Sequence, residues 1–272
     1  MALLALSCTQ PVEGCLDIEA SNYQVDADNP CGDCCVYPEL RLVFRHKQQV
    51  SPDTTLNFSY DSLFTDGAGN LFRIRDIRYY LQGAALLRSD GTPAGVSDTV
   101  RLFFRDPDGD TVSQVVEDNF FLMEANNFSP FSMGTFRESG TFSAFRLLIG
   151  LESNDPKLLP EFSPENHPLA DTSLFEPDRG FVLCHLEILP DTTAADTIPK
   201  IIRLFAPEPL HVLEEAVPLE LPQGFSPVYS LQVDYGEWFA GVNVRQDPTE
   251  KIAEQIGENL KNAFSLIETR IE

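Results

Sequence analysis

From Leu40 to Val244 the sequence alternates short apolar runs with turn residues, and nowhere in that span does it sustain the periodicity of a long helix. Such a chain can bury its apolar side chains only by laying sheets face to face, which predicts an all-β fold, an antiparallel β-sandwich. Strands are expected at Leu40 to His46, Leu56 to Tyr60, Leu71 to Ile74, Ile77 to Leu87, Thr99 to Arg105, Gly140 to Gly150, Gly180 to Ile188, Ile198 to Phe205, Val217 to Leu221 and Val228 to Val233. Asp66-Gly67, Asp90-Gly91 and Asp108-Gly109 supply the positive φ that tight hairpins need. The prolines concentrate after Pro156, in connections such as 155–177 and 207–227, which predicts long proline-rich loops on a sheet scaffold. After Val244 the pattern changes. Asp247-Pro248-Thr249-Glu250 reads as an N-cap, a first-turn proline and a capping acid, and Ile252, Ile256, Leu260, Phe264, Ile267 and Ile271 recur every three or four residues. This predicts one C-terminal amphipathic helix of about 22 residues, over 247–272, packed on the sandwich.

With 272 residues, 43% of them apolar, the chain can bury a sizeable core. Its 19 Lys plus Arg against 42 Asp plus Glu leave a formal charge of −23, which repels phosphate backbones and anionic headgroups and argues against nucleic-acid binding. The same charge attracts cations of any kind. No run approaches the roughly 20 apolar residues a membrane-spanning helix requires, so any membrane association is expected to come from an anchor. The opening Met-Ala-Leu-Leu-Ala-Leu-Ser-Cys resembles the lipobox of bacterial lipoproteins, with Cys8 as the residue to be lipidated, so residues 1–14 are expected to be a lipoprotein-type N-terminus. Cys8, Cys15, Cys31, Cys34 and Cys35 crowd into the first 35 residues, and Cys184 stands apart. Clustered cysteines beside an export signal predict disulfides among Cys15, Cys31, Cys34 and Cys35, with the pairing open. Cys31-Gly32-Asp33-Cys34 has no second pair to complete a zinc site. Cys184, inside an apolar run, reads as a small buried hydrophobe.

Residues 15–38 form a short cysteine-rich module. Gly14-Cys15-Leu16-Asp17, Ala20, Asn22-Tyr23, Asp26-Ala27-Asp28 and Cys34-Cys35-Val36-Tyr37 resemble a module of secreted Bacteroidetes proteins with the pattern GC-x-D-x-x-A-x-NY-x-x-x-A and a later C-x-Y, from which Cys31 and the doubled Cys34-Cys35 depart. The resemblance implies an extracytoplasmic protein, periplasmic or at the cell surface.

Few residues advertise chemistry. Asp106, Asp108 and Asp110, alternating around Gly109, are the arrangement oxygen-liganded calcium uses, although the bidentate acid of an EF-hand is met only approximately by Glu117. The histidines are His46, His167, His185 and His211, with no HxH, HxxH or HExxH spacing. His167 and His211 lie in proline-rich loops, whereas His46 and His185 fall at or in strands. Trp238 reads as a core aromatic. There is no GxSxG elbow and no glycine-rich loop opening a helix, so the chain is expected not to be an enzyme.

Ile74-Arg75-Asp76-Ile77-Arg78-Tyr79-Tyr80-Leu81, the hairpin Ala85 to Gly91, and the upstream Leu42-Val43-Phe44 resemble the MbnP-like family of secreted, copper-associated bacterial proteins. Further markers in the same order are Phe142 to Gly150, Asn154, Pro168-Leu169, Gly180-Phe181 and Phe239-Ala240-Gly241-Val242, which spread the resemblance over a sandwich of residues 39–246. It implies a β-sandwich that binds copper outside the cytoplasm, with a di-haem cytochrome c peroxidase-like partner. The chain departs from the family where its ligands lie. Phe175-Glu176-Pro177 stands where copper-binding relatives carry Trp-x-Trp, Asp155 stands for a His, and Arg203-Leu204-Phe205-Ala206 replaces a His-Leu-Gly segment. No copper ligand transfers by motif, and His167, His185 and His211 are candidates by residue chemistry alone. Two roles follow: a lipid-anchored, non-enzymatic copper-binding protein or partner in copper handling, and a module of the same fold that has lost the metal and recognises a protein or glycan through its loops.

Overall fold

The structure is a computed structural model that describes residues 10–51, 53–125, 130–152, 154–193, 198–206 and 210–272. The first apolar run grows at both ends into a 13-residue strand, β1 (Glu39–Ser51), in which Leu40, Leu42 and Phe44 are buried between more exposed arginines. It is followed by β2 (Thr54–Asn57), β3 (Leu71–Leu87), β4 (Thr99–Arg105), β5 (Thr111–Glu117), β6 (Phe120–Glu124) and β7 (Phe131–Thr135). Then come β8 (Gly140–Ile149), β9 (Cys184–Leu189), β10 (Lys200–Leu204), β11 (His211–Leu221), β12 (Pro227–Asp234), the helix α1 (Thr249–Ala263) and β13 (Phe264–Ile271).

Two sheets make the sandwich. One runs β10-β9-β3-β8-β11 with β6 also on β3, and the other runs β7-β1-β12-β13 with β2 on β1. Pairing between these strands is antiparallel except for β1 with β12. Phe145 of β8 stacks on Tyr229 of β12 at 4.2 Å between ring centroids, joining the two sheets through a core that also takes Ile252, Ile256 and Leu260 of α1.

Strand β3 organises the molecule. The sequence splits it at Arg75-Asp76, but the structure shows one 17-residue strand in which the register slips against β9 at that point. A second slip, against β8, falls at Gly83, whose φ of +64° suits a glycine bulge. Each bulge reverses the alternation, so the main core takes Phe72 and Ile74, then Ile77, Tyr79 and Leu81, then Ala84 and Leu86. Tyr80 belongs instead to a second, smaller core with Leu102, Leu151, Leu158, Leu169 and Phe181. Hairpin β4–β5 is a separate two-stranded sheet that contributes Val100 and Leu102 to this second core.

The expected C-terminal helix is corrected in length and end. It stops at Ala263, and residues 264–271 form β13 on the edge of β12. Phe264, Ile267 and Ile271 fit helical spacing, but the segment Phe-Ser-Leu-Ile-Glu-Thr-Arg-Ile is also rich in β-branched residues, and the open edge of β12 decides between them. The cap moves by one residue. Pro248 is the N-cap, while the Asp247 carboxylate accepts from the Asn243 N–H at 2.8 Å and from Lys251 Nζ at 2.7 Å, contacts that hold its pKa below the ordinary value, Lys251 foremost.

In the N-terminal module the cysteines pair as Cys15 with Cys35 and Cys31 with Cys34, cross-links that stand in for a core so small a segment cannot build. Arg137 caps the Tyr37 ring at 3.5 Å and lies 3.7 Å from Glu19, tying the module to the sandwich. Cys184 is buried and free, and burial raises its pKa. Cys8 lies outside the described residues. No helix among the described residues is long and apolar enough to cross a membrane.

Candidate functional site

The candidate histidines sit in three different settings. His167 caps the short turn Pro168–Ala170: the Leu169 N–H donates to its Nδ1 at 3.1 Å, which leaves Nε2 as the protonated nitrogen, 3.1 Å from Asp118 Oδ1. Both ring nitrogens are thus engaged. His185, on β9, lies in register between Arg78 of β3 and Arg203 of β10, with Nε2 3.6 Å from Asp76 Oδ2. Burial first, then the Arg78 charge, lowers its pKa. His211 opens β11 opposite Ile149, and burial lowers its pKa too. His46, on β1, is buried with Nδ1 2.8 Å from the Tyr235 hydroxyl.

Among the described residues no group of three or more His, Cys, Asp or Glu is placed to hold a metal ion. His167 has both ring nitrogens engaged, whereas Nδ1 of His185 is buried without a hydrogen-bond partner among the described residues, with Arg78 and Arg203 to either side and Asp76 close by. The Asp106 carboxylate, at the tip of β4–β5, accepts from the N–H groups of Asp108 and Asp110 at 3.0 and 2.8 Å, so it builds the turn. Asp106, Asp108 and Asp110 do not converge on a calcium site.

The depressed histidines carry a pH consequence. A histidine whose folded pKa lies below 6.5 leaves the native state unaffected above that pH, and as pH falls below 6.5 the unfolded chain takes up the proton first. Melting temperature is expected to fall as pH drops from 7 toward 5, and less steeply in His185→Gln, by differential scanning calorimetry. Equal slopes in both proteins would show that His185 contributes nothing.

A concavity lies over the second core. It is a cleft of about 570 Å³ between hairpin β4–β5 and the main sheet. Leu102, Phe104 and Val116 of the hairpin make one wall, and Phe120, Leu169 and Phe181 contribute from β6, the turn after His167 and the Gly180-Phe181 segment. Gln82, Gln114 and Asn119 add amides, and Glu117, Glu152 and Asp155 add carboxylates. Gln82 Oε1 accepts from the Glu152 N–H at 2.7 Å, which pins the loop after β8. Asn119 is 6% exposed; its Nδ2 donates to Glu117 Oε2 at 3.3 Å, and its Oδ1 has no hydrogen-bond partner among the described residues. A smaller groove of about 160 Å³ adjoins, sharing Glu117, Asn119 and Glu152 and adding Arg146.

Another hollow, of about 510 Å³ between β10 and α1, contains Arg179 and Arg203. Both are already engaged, Arg203 with Glu176 at 2.8 Å and Arg179 over the Phe205 ring at 3.6 Å, and Glu250 and Glu254 of α1 line the opposite side. No local sequence pattern marks the polar residues of the cleft. Strands β5 and β6, which carry Gln114, Glu117 and Phe120, are absent from the expected set, because Thr-Val-Ser-Gln-Val-Val-Glu looks like a polar connection until it pairs with β4.

No family model matches the chain. No curated protein matches it either. Among solved structures it is similar to MbnP from Methylosinus trichosporium at 9% identity and a TM-score of 0.35, over 71% of this chain and 75% of that one. No residue of that protein is carried over to this chain.

Proposed function

We propose that the protein is a non-enzymatic, extracytoplasmic recognition module that holds its ligand in the cleft under hairpin β4–β5. The observation that carries this reading is the pairing, in one cleft, of an apolar wall of Leu102, Phe104, Val116 and Phe120 with the amides and carboxylates of Gln82, Gln114, Glu117 and Glu152. The two disulfides support an oxidising compartment, and lipidation at Cys8 would hold the module at a membrane surface. Of the two roles the sequence resemblance implies, the geometry favours recognition over copper handling with a di-haem peroxidase partner.

Two measurements test it. Elemental mass spectrometry on protein secreted without a metal-affinity tag is expected to find copper well below one per chain, with no tight uptake on Cu(I) titration. Copper near one per chain, lost in His167→Ala or His211→Ala, would restore the copper role. Methyl NMR with alkylammonium, diol and oligosaccharide probes is expected to shift Leu102, Leu151, Leu158 and Leu169 while leaving Leu40 and Leu231 of the main core unmoved. If no probe moves the cleft methyls, the reading fails.

A further inference from the structure

A sheet edge stands open beside the cleft. β4 is engaged on both sides: β5 takes one, and on the other the Arg105 N–H donates to the Lys157 carbonyl and the Leu159 N–H to the Phe103 carbonyl, each at 2.8 Å. β5 pairs only with β4 among the described residues, so alternate residues turn their N–H and C=O groups outward with no strand to take them. Folded chains guard such edges with charge, proline, bulges or brevity, because an open edge recruits extended segments. The other outer strands follow that rule. β11 carries Pro218 and three glutamates, β10 carries Lys200 and Arg203, and β13 carries Glu268 and Arg270. β7 slips in register before Gly134, and β6 and β2 are five and four residues long. β5 has none of these guards. From Thr111 to Val116 it holds no charge and no proline, Thr111, Val112, Val115 and Val116 are β-branched, and its seven pairs with β4 run without a slip.

This edge continues the wall of the cleft. Gln114 and Val116 stand opposite Leu102 and Val100, on the face the hairpin turns to the second core, and Leu102, Gln114 and Val116 line the cleft. A strand added to β5 extends that face. Its alternate side chains point with Gln114 and Val116 toward the cleft, and the intervening ones point with Ser113 and Val115 to solvent. Charge selects what that strand belongs to. Asp108 and Asp110 are exposed at the hairpin tip, and Glu117 closes the other end of β5. Two copies of the chain joined edge to edge bring −23 against −23, and antiparallel pairing about Gln114 sets the acidic tip of each against Glu117 of the other. A segment with cations beyond both ends meets opposite charge instead.

Resting on the cleft reading above, we propose that β5 accepts an extended segment of a partner protein as a third strand of its hairpin, with apolar residues at the alternate positions that face the cleft and Lys or Arg beyond each end. Main-chain hydrogen bonds then supply affinity, and the cleft selects the side chains. The probe is the peptide Lys-Lys-Val-Thr-Val-Thr-Val-Lys-Lys, blocked at both ends. Binding by calorimetry at physiological salt is expected, with amide hydrogen exchange slowed about tenfold across 111–116 and unchanged in β12. A peptide with glutamate for lysine is expected to bind roughly tenfold weaker. One N-methylated at its central Val and Thr residues keeps side chains and charge but has no N–H to donate there, and is expected not to bind. Ser113→Lys, on the open edge, is expected to weaken binding about tenfold, whereas Ser265→Lys, at an exposed position of β13, adds the same charge and is expected to change nothing.

No binding of the lysine peptide at about 1 mM, equal binding of the glutamate or N-methylated peptide, or equal loss in Ser113→Lys and Ser265→Lys would each overturn the proposal. A dimer in sedimentation that Ser113→Lys dissociates would assign the edge to a second copy and overturn the partner. Cleft methyls that respond to diol or oligosaccharide, while exchange across 111–116 is unmoved by the peptide, would overturn strand addition and leave the cleft as a binding site. If neither those methyls nor those amides respond to any probe, the cleft reading falls as well.

Discussion

Chains ending at Ala263 are expected to lose cooperative folding. Residues 264–271 pair with β12 from Val233 opposite Phe264 to Pro227 opposite Ile271, and Glu272 and Ser226 then exchange backbone hydrogen bonds at 2.8 and 2.9 Å. β12 is buried almost throughout, with Tyr229, Leu231 and Val233 in the main core. Removing β13 strips its backbone of partners where water has little access, at about 1–3 kcal/mol for each orphaned group. A few such groups consume the roughly 5–15 kcal/mol that holds a domain together. The truncated chain is expected to aggregate or to bind a hydrophobic dye without a melting transition, by circular dichroism and dye fluorescence. A fraying helical tail would behave differently. If the shortened protein melts within about 3 °C of the full chain, β13 is dispensable and its pairing with β12 is not what closes the sheet.

Trp238→Ala is expected to be the most damaging single substitution, at about 3–5 kcal/mol and a fall in melting temperature of about 10 °C. Trp238 is fully buried, its ring 5.2 Å from Tyr235, 5.5 Å from Tyr79 and 6.2 Å from Phe264. It therefore joins the segment after β12 to β3 and to the start of β13. Its carbonyl accepts from Asn259 Nδ2 at 3.0 Å, which fastens α1 to the same place. The indole Nε1 has no hydrogen-bond partner among the described residues, so Trp238→Phe forfeits packing but no hydrogen bond and is expected to cost less than half as much. Urea denaturation of both variants decides it. Similar losses in the two would mean that an unseen polar contact, and not ring volume, sets the cost.

How far the sequence can be read depends on where the deciding interaction lies. Strands with local alternation, such as Thr99 to Arg105 and Gly140 onward, are legible because the two faces of one segment already differ. β3 looks like two strands because the bulge at Arg75-Asp76 reverses its faces there, and a bulge, like the second one at Gly83, shows only in the register with a partner. The histidines stand out in the sequence for their chemistry, yet the cleft is built from Phe, Gln, Asn and Glu side chains that are ordinary one at a time.

Taken alone, the sequence determined the class of fold, the burial of Cys184 and Trp238, and the recruitment of the first cysteines into disulfides, since each follows from local pattern or composition. Three matters were decided only in tertiary structure: the disulfide pairing, the turn of residues 264–271 from helix to strand, and the meeting of Asn119 with Glu117, Glu152 and the phenylalanine rings. Each depends on contacts between segments that are apart in sequence or on which sheet edge stands open. A linear pattern cannot encode such contacts, because the free energy that selects them belongs to the partner as much as to the segment.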